Sequence, residues 1–398
     1  MYSIKELFKI GNGPSSSHTI GPFVASKEFL KRYKANIDEI KVVLYGSLAL
    51  TGRGHLTDYI IEKTLLPIPC HIEFDMFTEM EHPNTLEFYG YIQGNKTCYM
   101  KVYSIGGGAI KIAGEVEAAK KKIYSLTSYK AIAEYCKKEK ISLSEYVDLV
   151  EGDSINDYMG LIYETMLKSI ENGLSHTGVL PGKLQVKRKA NYIFEQNSKD
   201  ASYDLLRKKT IAYAYAVSEE NASGGIIVTA PTCGASGVLP ACLRYAIEVN
   251  QYSYKECIDA LKVAGLIGNL VKENGSISGA EAGCQAEVGT ACAMAAAFLA
   301  YLDNGHVDIV ERASEIALEH HLGLTCDPVL GYVQIPCIER NAVAALRAID
   351  AAKLATYLNS NDSKISFDSV VKTMLNTGHD LRTSYRETAE GGLAKLFE

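Results

Sequence analysis

The segment from Cys242 to Leu302 constrains the fold of this chain more than any other part of its sequence. It is very apolar and rich in alanine and glycine. Small side chains let neighbouring helices pack closely, as they do in helical bundles. We therefore predict a compact helical bundle with a buried centre in the second half of the chain.

Helical periodicity continues on both sides of this segment. Apolar residues recur there at three- and four-residue steps, which is the spacing of one helix face. The stretches with this spacing are YKAIAEYCKKEK (129–140), SINDYMGLIYETMLKSIENGL (154–174), ASYDLLRKKTIAYAYAVSEEN (201–221), ERASEIALEHH (311–321) and IERNAVAALRAIDAAKLATYL (338–358). Asn172 and Gly173 are residue types that favour a helix C-cap, so we predict that one helix ends there.

The first part of the chain has a mixed α/β pattern. Strands are predicted at KVVLYGSLAL (41–50), HIEFDMF (71–77) and TCYMKVYSI (97–105), and a helix at ASKEFLKRY (25–33). The charged stretch 114–130 has few large apolar residues and predicts a domain boundary. We expect the α+β class, with a small N-terminal α/β domain over residues 1–125 and an all-α domain over residues 126–398.

Charge and composition exclude several functional classes. The formal net charge of −6 argues against a nucleic-acid partner, because surfaces that bind nucleic acid are usually basic. No uninterrupted run of about 18 apolar residues is present, and the N-terminal segment lacks the apolar core of a secretory signal. We therefore expect no membrane span and a cytoplasmic location. Ten cysteines in a chain of 398 residues do not form a secreted disulfide scaffold, so we expect reduced thiols.

Three of these cysteines stand in loop-like segments that contain glycine or proline, which are settings typical of turns and helix starts. They are Cys284, Cys326 and Cys337, spaced 42 and 11 residues apart. A helix N-terminus lowers the pKa of a thiol and favours the anionic form that binds metals. The spacing matches neither a zinc ribbon nor a ferredoxin. From the residues alone, a metal site and three unrelated buried thiols both remain open.

Two histidines stand out because each lies in a polar, glycine-flanked loop. His18 belongs to GPSSSHTIGP (13–22) and His55 to TGRGHLTD (51–58). A further glycine-rich stretch, GGIIVTAPTCGASGVLPA (224–241), has the composition of loops whose backbone N–H groups approach an anion. Its Cys233 is a structural thiol or a ligand, and the first is favoured. A lone histidine is more often a surface or hydrogen-bonded residue than a catalyst, so the sequence alone leaves both roles open.

Seven motifs, taken in chain order, resemble those of the iron–sulfur-dependent bacterial L-serine dehydratases, also called L-serine ammonia-lyases. They are GPSSSHTIGP, SLALTGRGHLTD, APTCGASGVLPA, SISGAEAGCQAEVG, GLTCDPV, VQIPCIERNA and YRETAEGGLA. The resemblance runs from about Ile4 to about Ala394. It is closest to the single-chain form, in which a β-type segment precedes an α-type segment.

The resemblance implies a [4Fe–4S] cluster held by Cys284, Cys326 and Cys337, with one iron left without a protein ligand. It implies that residues 126–398 are the cluster-binding catalytic domain and that residues 1–125 close over it. It also implies a homodimer. The expected binding partner is the small-molecule substrate L-serine, and neither a membrane nor a nucleic acid. Amino-acid catabolism that yields pyruvate is the expected role.

The chemistry implied by this resemblance assigns roles to several residues. Loss of water from L-serine removes the Cα proton and a hydroxide, and a neutral histidine is a suitable base near pH 7. We assign proton abstraction to His55 and orientation or protonation of the leaving group to His18, although these roles could be reversed. The predicted substrate contacts are Ser15, Ser16, Ser17, Thr19, Asn274 and Ser276. Glu339, Arg340 and Asn341 are predicted to tune the cluster. The alternative for Glu339 and Arg340 is an ion pair at a helix start.

One departure from the family pattern bears on the open iron. Family members commonly carry a cysteine at or near the C-terminus, which can occupy that iron when substrate is absent. This chain has no cysteine after Cys337. We therefore expect water or the Glu398 carboxylate at the open iron, and ready loss of that iron to oxygen.

Three alternative functions remain open at this point. An L-cysteine desulfidase on the same scaffold would expel a thiolate instead of hydroxide, and the sequence does not determine the leaving group. A PLP-dependent dehydratase is disfavoured because no lysine-centred cofactor motif is evident. A non-catalytic amino-acid-sensing module is disfavoured because the three loop cysteines and both histidines are all present.

Overall fold

A computed structural model describes residues 1–115, 121–196, 202–358, 363–388 and 390–397. Its internal contacts divide the chain into two compact units. One unit, which we call the small unit, spans Gly11–Ala119, and the other, the helical unit, combines Met1–Ile10 with Lys120–Glu398. A sheet organises the small unit and helices make up most of the helical unit, which confirms the predicted α+β class. Part of the charged stretch 114–130 lies outside the described residues.

The small unit is built on a five-stranded sheet with the order β3-β2-β4-β5-β6. Strands β2 and β3 are parallel, and the remaining neighbours are antiparallel. Its strands and helices, with the short strand that precedes them, are β1 (Ile10–Asn12), α1 (Gly21–Tyr33), β2 (Glu39–Tyr45), α2 (Ser47–Thr51), α3 (Thr57–Leu65), β3 (Cys70–Asp75), β4 (Thr85–Ile92), β5 (Asn95–Gly106) and β6 (Ala109–Ile112). Sequence patterns identified β3, β5 and α1 but missed β4 and β6.

The predicted strand at 41–50 is only half correct. Strand β2 ends at Tyr45, and the chain turns at Gly46 into helix α2. Gly46 has a φ of +54°, and a Cβ atom there would lie 2.5 Å from the carbonyl oxygen of Pro83. Only glycine tolerates both this backbone conformation and this close approach. The β-branched and apolar composition of the segment hid the turn.

The helical unit contains the remaining described helices and one short strand. They are α4 (Tyr129–Glu139), α5 (Leu143–Glu151), α6 (Ser154–Ser175), α7 (Ala190–Glu195), α8 (Ser202–Ala222), β7 (Ile226–Val228), α9 (Val238–Asn250), α10 (Tyr254–Asn274), α11 (Gly279–Ala282), α12 (Thr290–Asp303), α13 (Val307–Glu319), α14 (Cys337–Tyr357) and α15 (Phe367–Asp380). Helix α12 lies at the centre, packed against α10, α13 and α14. The predicted helices at 129–140, 154–174, 201–221, 311–321 and 338–358 are all present.

The central helix also explains a feature of the hydropathy profile. By length and composition alone, the stretch Gln285–Asp303 could cross a membrane. However, 83% of its apolar window is buried inside the protein. Every residue from Thr290 to Ala300 is buried, so the helix has no exposed polar face. A helix that is apolar on all sides fits the core of a large helical unit.

The first ten residues belong to the helical unit because they pack on two glycines of α10. A Cβ atom at Gly265 would lie 2.8 Å from the ring of Phe8, and one at Gly268 would lie 2.5 Å from Leu7. The amino group of Met1 also donates a hydrogen bond to the carbonyl oxygen of Tyr124, at 2.8 Å. Small residues on α10 thus create the groove into which the N-terminal segment fits.

The predicted helix end at Asn172 and Gly173 is wrong. Helix α6 continues to Ser175, and its C-cap is His176. Gly173 is buried inside the helix, where a Cβ atom would lie 2.2 Å from the carbonyl oxygen of Ala216 on α8. The glycine therefore permits two helix backbones to touch, and it does not terminate the helix.

This contact predicts the effect of Gly173→Ala. The added methyl group must push α6 and α8 apart, and overpacking of this kind costs about 1–3 kcal/mol. The better helix propensity of alanine recovers at most about 1 kcal/mol. We expect a lower free energy of unfolding in urea. Ser175→Ala, at an exposed position two residues further along α6, is the matched control. An unfolding midpoint of Gly173→Ala at or above that of the control would contradict the close contact.

Candidate functional site

The three predicted metal ligands lie at ends of structural elements. Cys284 directly precedes the π-helical turn Gln285–Gly289, which runs into α12. Cys337 is the first residue of α14. Cys326 lies in a loop, where its N–H donates to the carbonyl oxygen of Tyr385 and its own carbonyl accepts from the N–H of Glu387, both at 2.8 Å. Two helix starts and one bridged loop therefore present the thiols.

Two of these thiols meet at a carboxylate that the sequence analysis did not select. One donor atom from each of Cys284, Glu287 and Cys326 lies within 4.8 Å of the others. The thiol of Cys326 donates to Oε2 of Glu287 across 3.9 Å. Cys337 is not in this trio, but it is near enough for its protonation to respond to Cys284 and Glu287. Glu287 follows Cys284 by three residues, and that one-turn spacing was the available sequence signal.

The thiols are electrostatically coupled. A hydrogen bond from the Cys326 thiol lowers the pKa of Cys284, and the nearby guanidinium of Arg340 acts in the same direction. The same hydrogen bond, together with burial, raises the pKa of Cys326. Burial raises the pKa of Cys337 as well. Cys284 is thus the thiol that ionises first.

A second carboxylate, Glu387, lies close to the same group. Burial, and then the charge of Glu387, raises the pKa of Glu287. Desolvation of its carboxyl group also raises the pKa of Glu387, although the residue as a whole is exposed. Glu387 is far from the cysteines in sequence, so no local pattern could have identified it. The suggested ligand Glu398 lies outside the described residues.

Arg340 fastens the Cys326 loop to the start of α14. Its guanidinium donates to the carbonyl oxygen of Thr325 at 2.6 Å and to the carboxylate of Asp327 at 2.9 Å, on either side of Cys326. Glu339 points elsewhere and lies 3.7 Å from the amine of Lys189. The predicted ion pair between Glu339 and Arg340 is therefore not formed.

Asn341 joins the glycine-rich loop to the same helix start. Its side-chain NH₂ donates to the carbonyl oxygens of Gly234, at 2.7 Å, and Cys337, at 2.8 Å. Its side-chain oxygen accepts from the N–H of Gly237 at 2.9 Å. The neighbouring Cys233 is buried, and burial raises its pKa. Its role as a structural thiol stays a prediction.

The donor set fits an iron–sulfur group. Thiolates are soft ligands that suit iron–sulfur clusters and zinc, and three of them lie in one region of the helical unit. A Cβ atom at Gly279 would lie 3.1 Å from Sγ of Cys326 and 2.7 Å from Oε2 of Glu287. The backbone therefore approaches the donors as closely as only glycine allows. These residues could hold a metal group.

The small unit brings the two predicted histidines together. The ring centroids of His18 and His55 are 4.6 Å apart. His18 lies on the π-helical turn Ser16–Ile20, which Ser15 caps by accepting a hydrogen bond from the N–H of His18. The Thr19 hydroxyl donates to the carbonyl oxygen of His55, and the Thr57 hydroxyl donates to that of His18, at 2.9 and 2.6 Å. Two threonines thus fix each histidine to the other's segment.

A hydrogen bond to a carbonyl oxygen defines the proton position on the His55 ring. Nδ1 of His55 lies 3.1 Å from the carbonyl oxygen of Thr51, which can only accept, so Nδ1 carries the proton. In the neutral ring, Nε2 of His55 is then an unprotonated acceptor. His18 is held at both nitrogens, with Ser17 Oγ 2.9 Å from Nδ1 and Ser47 Oγ 3.0 Å from Nε2.

Burial keeps both histidines neutral. It lowers the pKa of His55 from its ordinary value. Burial, and then the neighbouring His55, lowers the pKa of His18 from 6.5 to about 3. A neutral imidazole at ordinary pH has one unprotonated ring nitrogen, so it can accept a proton and becomes positively charged when it does so.

The predicted substrate contacts have different environments. Thr19 and Ser17 hold the histidines, as described above. Asn274 donates to the carbonyl oxygens of Thr127 and Leu270, at 2.7 and 3.0 Å, and so completes the end of α10. The Ser276 hydroxyl donates to Glu281 at 2.6 Å. Asn274 and Ser276 therefore make local contacts in the helical unit, and their substrate role stays a prediction.

Comparison with known families gives matches over nearly the whole chain. The family model for the serine dehydratase beta chain matches residues 3–67, and that for the serine dehydratase alpha chain matches residues 96–394. The matches follow the order in which the β-type and α-type motifs occur.

Individual relatives are similar over the same extent. The chain is 39% identical over 450 residues to L-serine dehydratase 2 of Escherichia coli, covering 99% of this chain and 98% of the relative. It is 40% identical over 452 residues to an L-serine dehydratase of Helicobacter pylori, covering 100% and 99%. It is 37% identical over 447 residues to an L-serine dehydratase of Streptomyces coelicolor, covering 98% of each.

The low pKa of His18 predicts a pH-dependent contribution to stability. Below its ordinary pKa of about 6.5, a histidine of the unfolded chain takes up a proton that folded His18 does not take up until about pH 3. Stability is therefore lost as the pH falls through this window, by at most about 1.4 kcal/mol per pH unit. We expect His18→Gln to show a shallower decline in the free energy of unfolding between neutral and mildly acidic pH.

Urea unfolding at several pH values measures this difference. His71→Gln changes an exposed histidine of β3 and serves as the matched control. Parallel curves for the wild-type protein and His18→Gln would rule out a buried, neutral His18.

Proposed function

Because the chain belongs to the serine dehydratase family, we propose that it is an L-serine ammonia-lyase that uses a [4Fe–4S] cluster to convert L-serine to pyruvate and ammonia. The observation that carries the proposal is the convergence of Cys284 and Cys326, with Cys337 nearby, in a chain similar over its whole length to L-serine dehydratases. The ten cysteines are all free thiols, which fits a reducing cytoplasm. The homodimer stays a prediction.

In this proposal Cys284, Cys326 and Cys337 hold the cluster as thiolates. When bound, the cluster supplies a Lewis-acidic iron that stabilises the negative charge of the departing β-hydroxyl oxygen. Arg340 places a positive charge beside Cys284 and thereby favours its thiolate form. The bonds from Arg340 to both neighbours of Cys326 keep that loop from moving when the ligand is absent.

The two histidines manage the protons. His55 accepts the Cα proton at Nε2, because its Nδ1 is already committed to the carbonyl oxygen of Thr51. Since burial lowers its pKa, His55 remains a neutral base where an exposed histidine would be protonated. His18, held between Ser17 and Ser47, orients the leaving hydroxyl group or passes to it the proton that His55 takes from Cα.

The serine-rich loop is proposed to bind the substrate carboxylate. Ser15, Ser16 and Ser17 occur in one turn of chain, where hydroxyl groups can donate to an anion. Thr19 contributes through its bond to the His55 segment. Loss of water gives aminoacrylate, which tautomerises to an imine and hydrolyses to pyruvate and ammonia. We also propose that Asn274 and Ser276 contact the substrate.

Anaerobic reconstitution with iron and sulfide, followed by a pyruvate-release assay with L-serine, L-threonine and L-cysteine, tests this function. We expect L-serine to be preferred, and a preference for L-cysteine would instead indicate a desulfidase. Cys326→Ala should retain neither stoichiometric iron nor turnover, because it removes one of three cluster ligands. Cys136→Ala, a buried thiol on α4 outside the site, is the control. Equal turnover by iron-loaded and iron-free wild-type protein would refute the proposal.

His55→Gln tests the base independently of the cluster. Loss of a general base typically lowers kcat by about a hundredfold to ten-thousandfold. We expect a loss in this range, with the iron and labile-sulfide content unchanged. The control is His71→Gln, which should keep full turnover. If His18→Gln loses more than His55→Gln at saturating serine, the two roles are reversed.

A further inference from the structure

We propose that the chain, before it holds any cluster, binds a single zinc ion through Cys284, Glu287 and Cys326, and that this ion excludes the cluster. These three side chains alone form the zinc site. The effect of zinc on activity, through exclusion of the cluster, rests on the proposed function.

The spacing of the three donors fits one ion better than several. Their ligand atoms all lie within 4.8 Å of one another. With a zinc–sulfur bond of about 2.3 Å, two sulfurs on one tetrahedral zinc lie about 3.8 Å apart. Thiolates that bind separate irons must stand further apart, because each has its own metal ion beneath it. The trio is thus drawn together in the way a mononuclear site requires.

The absence of Cys337 from this trio separates the two kinds of site. A cluster held by three cysteines needs Cys337, whereas the compact trio uses a carboxylate as its third donor. Zinc accepts sulfur and carboxylate oxygen ligands together, and a fourth position can be filled by water. The two metal sites therefore share Cys284 and Cys326 but differ in their third ligand.

The donors are held in place before any metal arrives. Cys284 and Glu287 are three residues apart at the start of one helix, so their relative position is set by local backbone. The Cys326 backbone is fixed on both sides by hydrogen bonds to Tyr385 and Glu387. The backbone of Gly279 lies against both Cys326 and Glu287. Preorganisation of this kind lowers the cost of ordering the ligands.

The chemistry favours zinc over ferrous iron at such a site. Among divalent ions, zinc binds a given nitrogen, oxygen or sulfur site more tightly than iron does. Binding releases to solvent the protons that the thiols and the Glu287 carboxyl carry, and it leaves no redox change to balance. Because zinc and the cluster both need Cys284 and Cys326, a zinc-loaded chain cannot take up the cluster until the zinc leaves.

Zinc titration of the full-length, chelator-stripped and reduced protein under anaerobic conditions tests the site. Competition with a chromophoric chelator gives the stoichiometry and the affinity, and we expect one zinc per chain. Glu287→Gln should weaken zinc binding by at least the roughly tenfold to hundredfold loss seen when supporting ligands are changed. Cys284→Ser and Cys326→Ser should abolish tight binding. Cobalt substitution should show thiolate charge-transfer absorption in the wild-type protein and lose it in these two variants.

Cys337→Ser is the decisive variant. We expect it to bind zinc as tightly as the wild-type protein and yet to retain no stoichiometric cluster. Cys98→Ser, in the small unit, controls for general thiol binding and should change neither property. Loss of zinc affinity in Cys337→Ser as large as in Cys326→Ser would overturn the proposed ligand set, as would unchanged affinity in Glu287→Gln.

Cluster uptake tests the exclusion separately. Wild-type protein loaded with one zinc should incorporate iron and labile sulfide far more slowly than stripped protein, and equal rates would refute the exclusion. These readouts do not depend on turnover. Cluster-loaded protein that fails to act on L-serine would refute the proposed function and leave the zinc titration unaffected.

Discussion

The guanidinium group of Arg340 is the contact on which the cysteine site depends. Its two hydrogen bonds reach the residues on either side of Cys326, while its own helix begins at Cys337. Arg340 and Asp327 are both largely buried, so each charge would be costly without the other. Asp327 also accepts from the N–H of Leu393, which brings the C-terminal segment to the same point. One ion pair therefore holds together the Cys326 loop, the start of α14 and the C-terminal segment.

The two histidines depend on a different constraint, which is the exclusion of water. Burial keeps the imidazoles neutral, and the carbonyl oxygen of Thr51 determines which nitrogen of His55 is free. The crossed bonds from Thr19 and Thr57 then fix the separation of the rings. The SSSHT motif thus supplies structural support for the histidine that it contains.

Small residues determine how closely the parts of the molecule approach. Gly173 allows α6 to touch α8, Gly265 and Gly268 admit the N-terminal segment, and Gly279 lets the backbone reach the metal donors. The sequence pattern predicted close helix packing in general terms. It misassigned Gly173, because a glycine within an apolar helix and a glycine at a helix end have the same local surroundings.

The sequence by itself determined the fold class, most of the helices and the family, because these depend on local periodicity and on motifs that are contiguous in the chain. Only the tertiary structure selected Glu287 and Glu387 and separated Cys337 from the compact trio of donors. It also showed that Arg340 pairs with Asp327 and not with Glu339. These pairings depend on which segments meet in space, because the partner of a buried charge or thiol is set by the segment that packs against it.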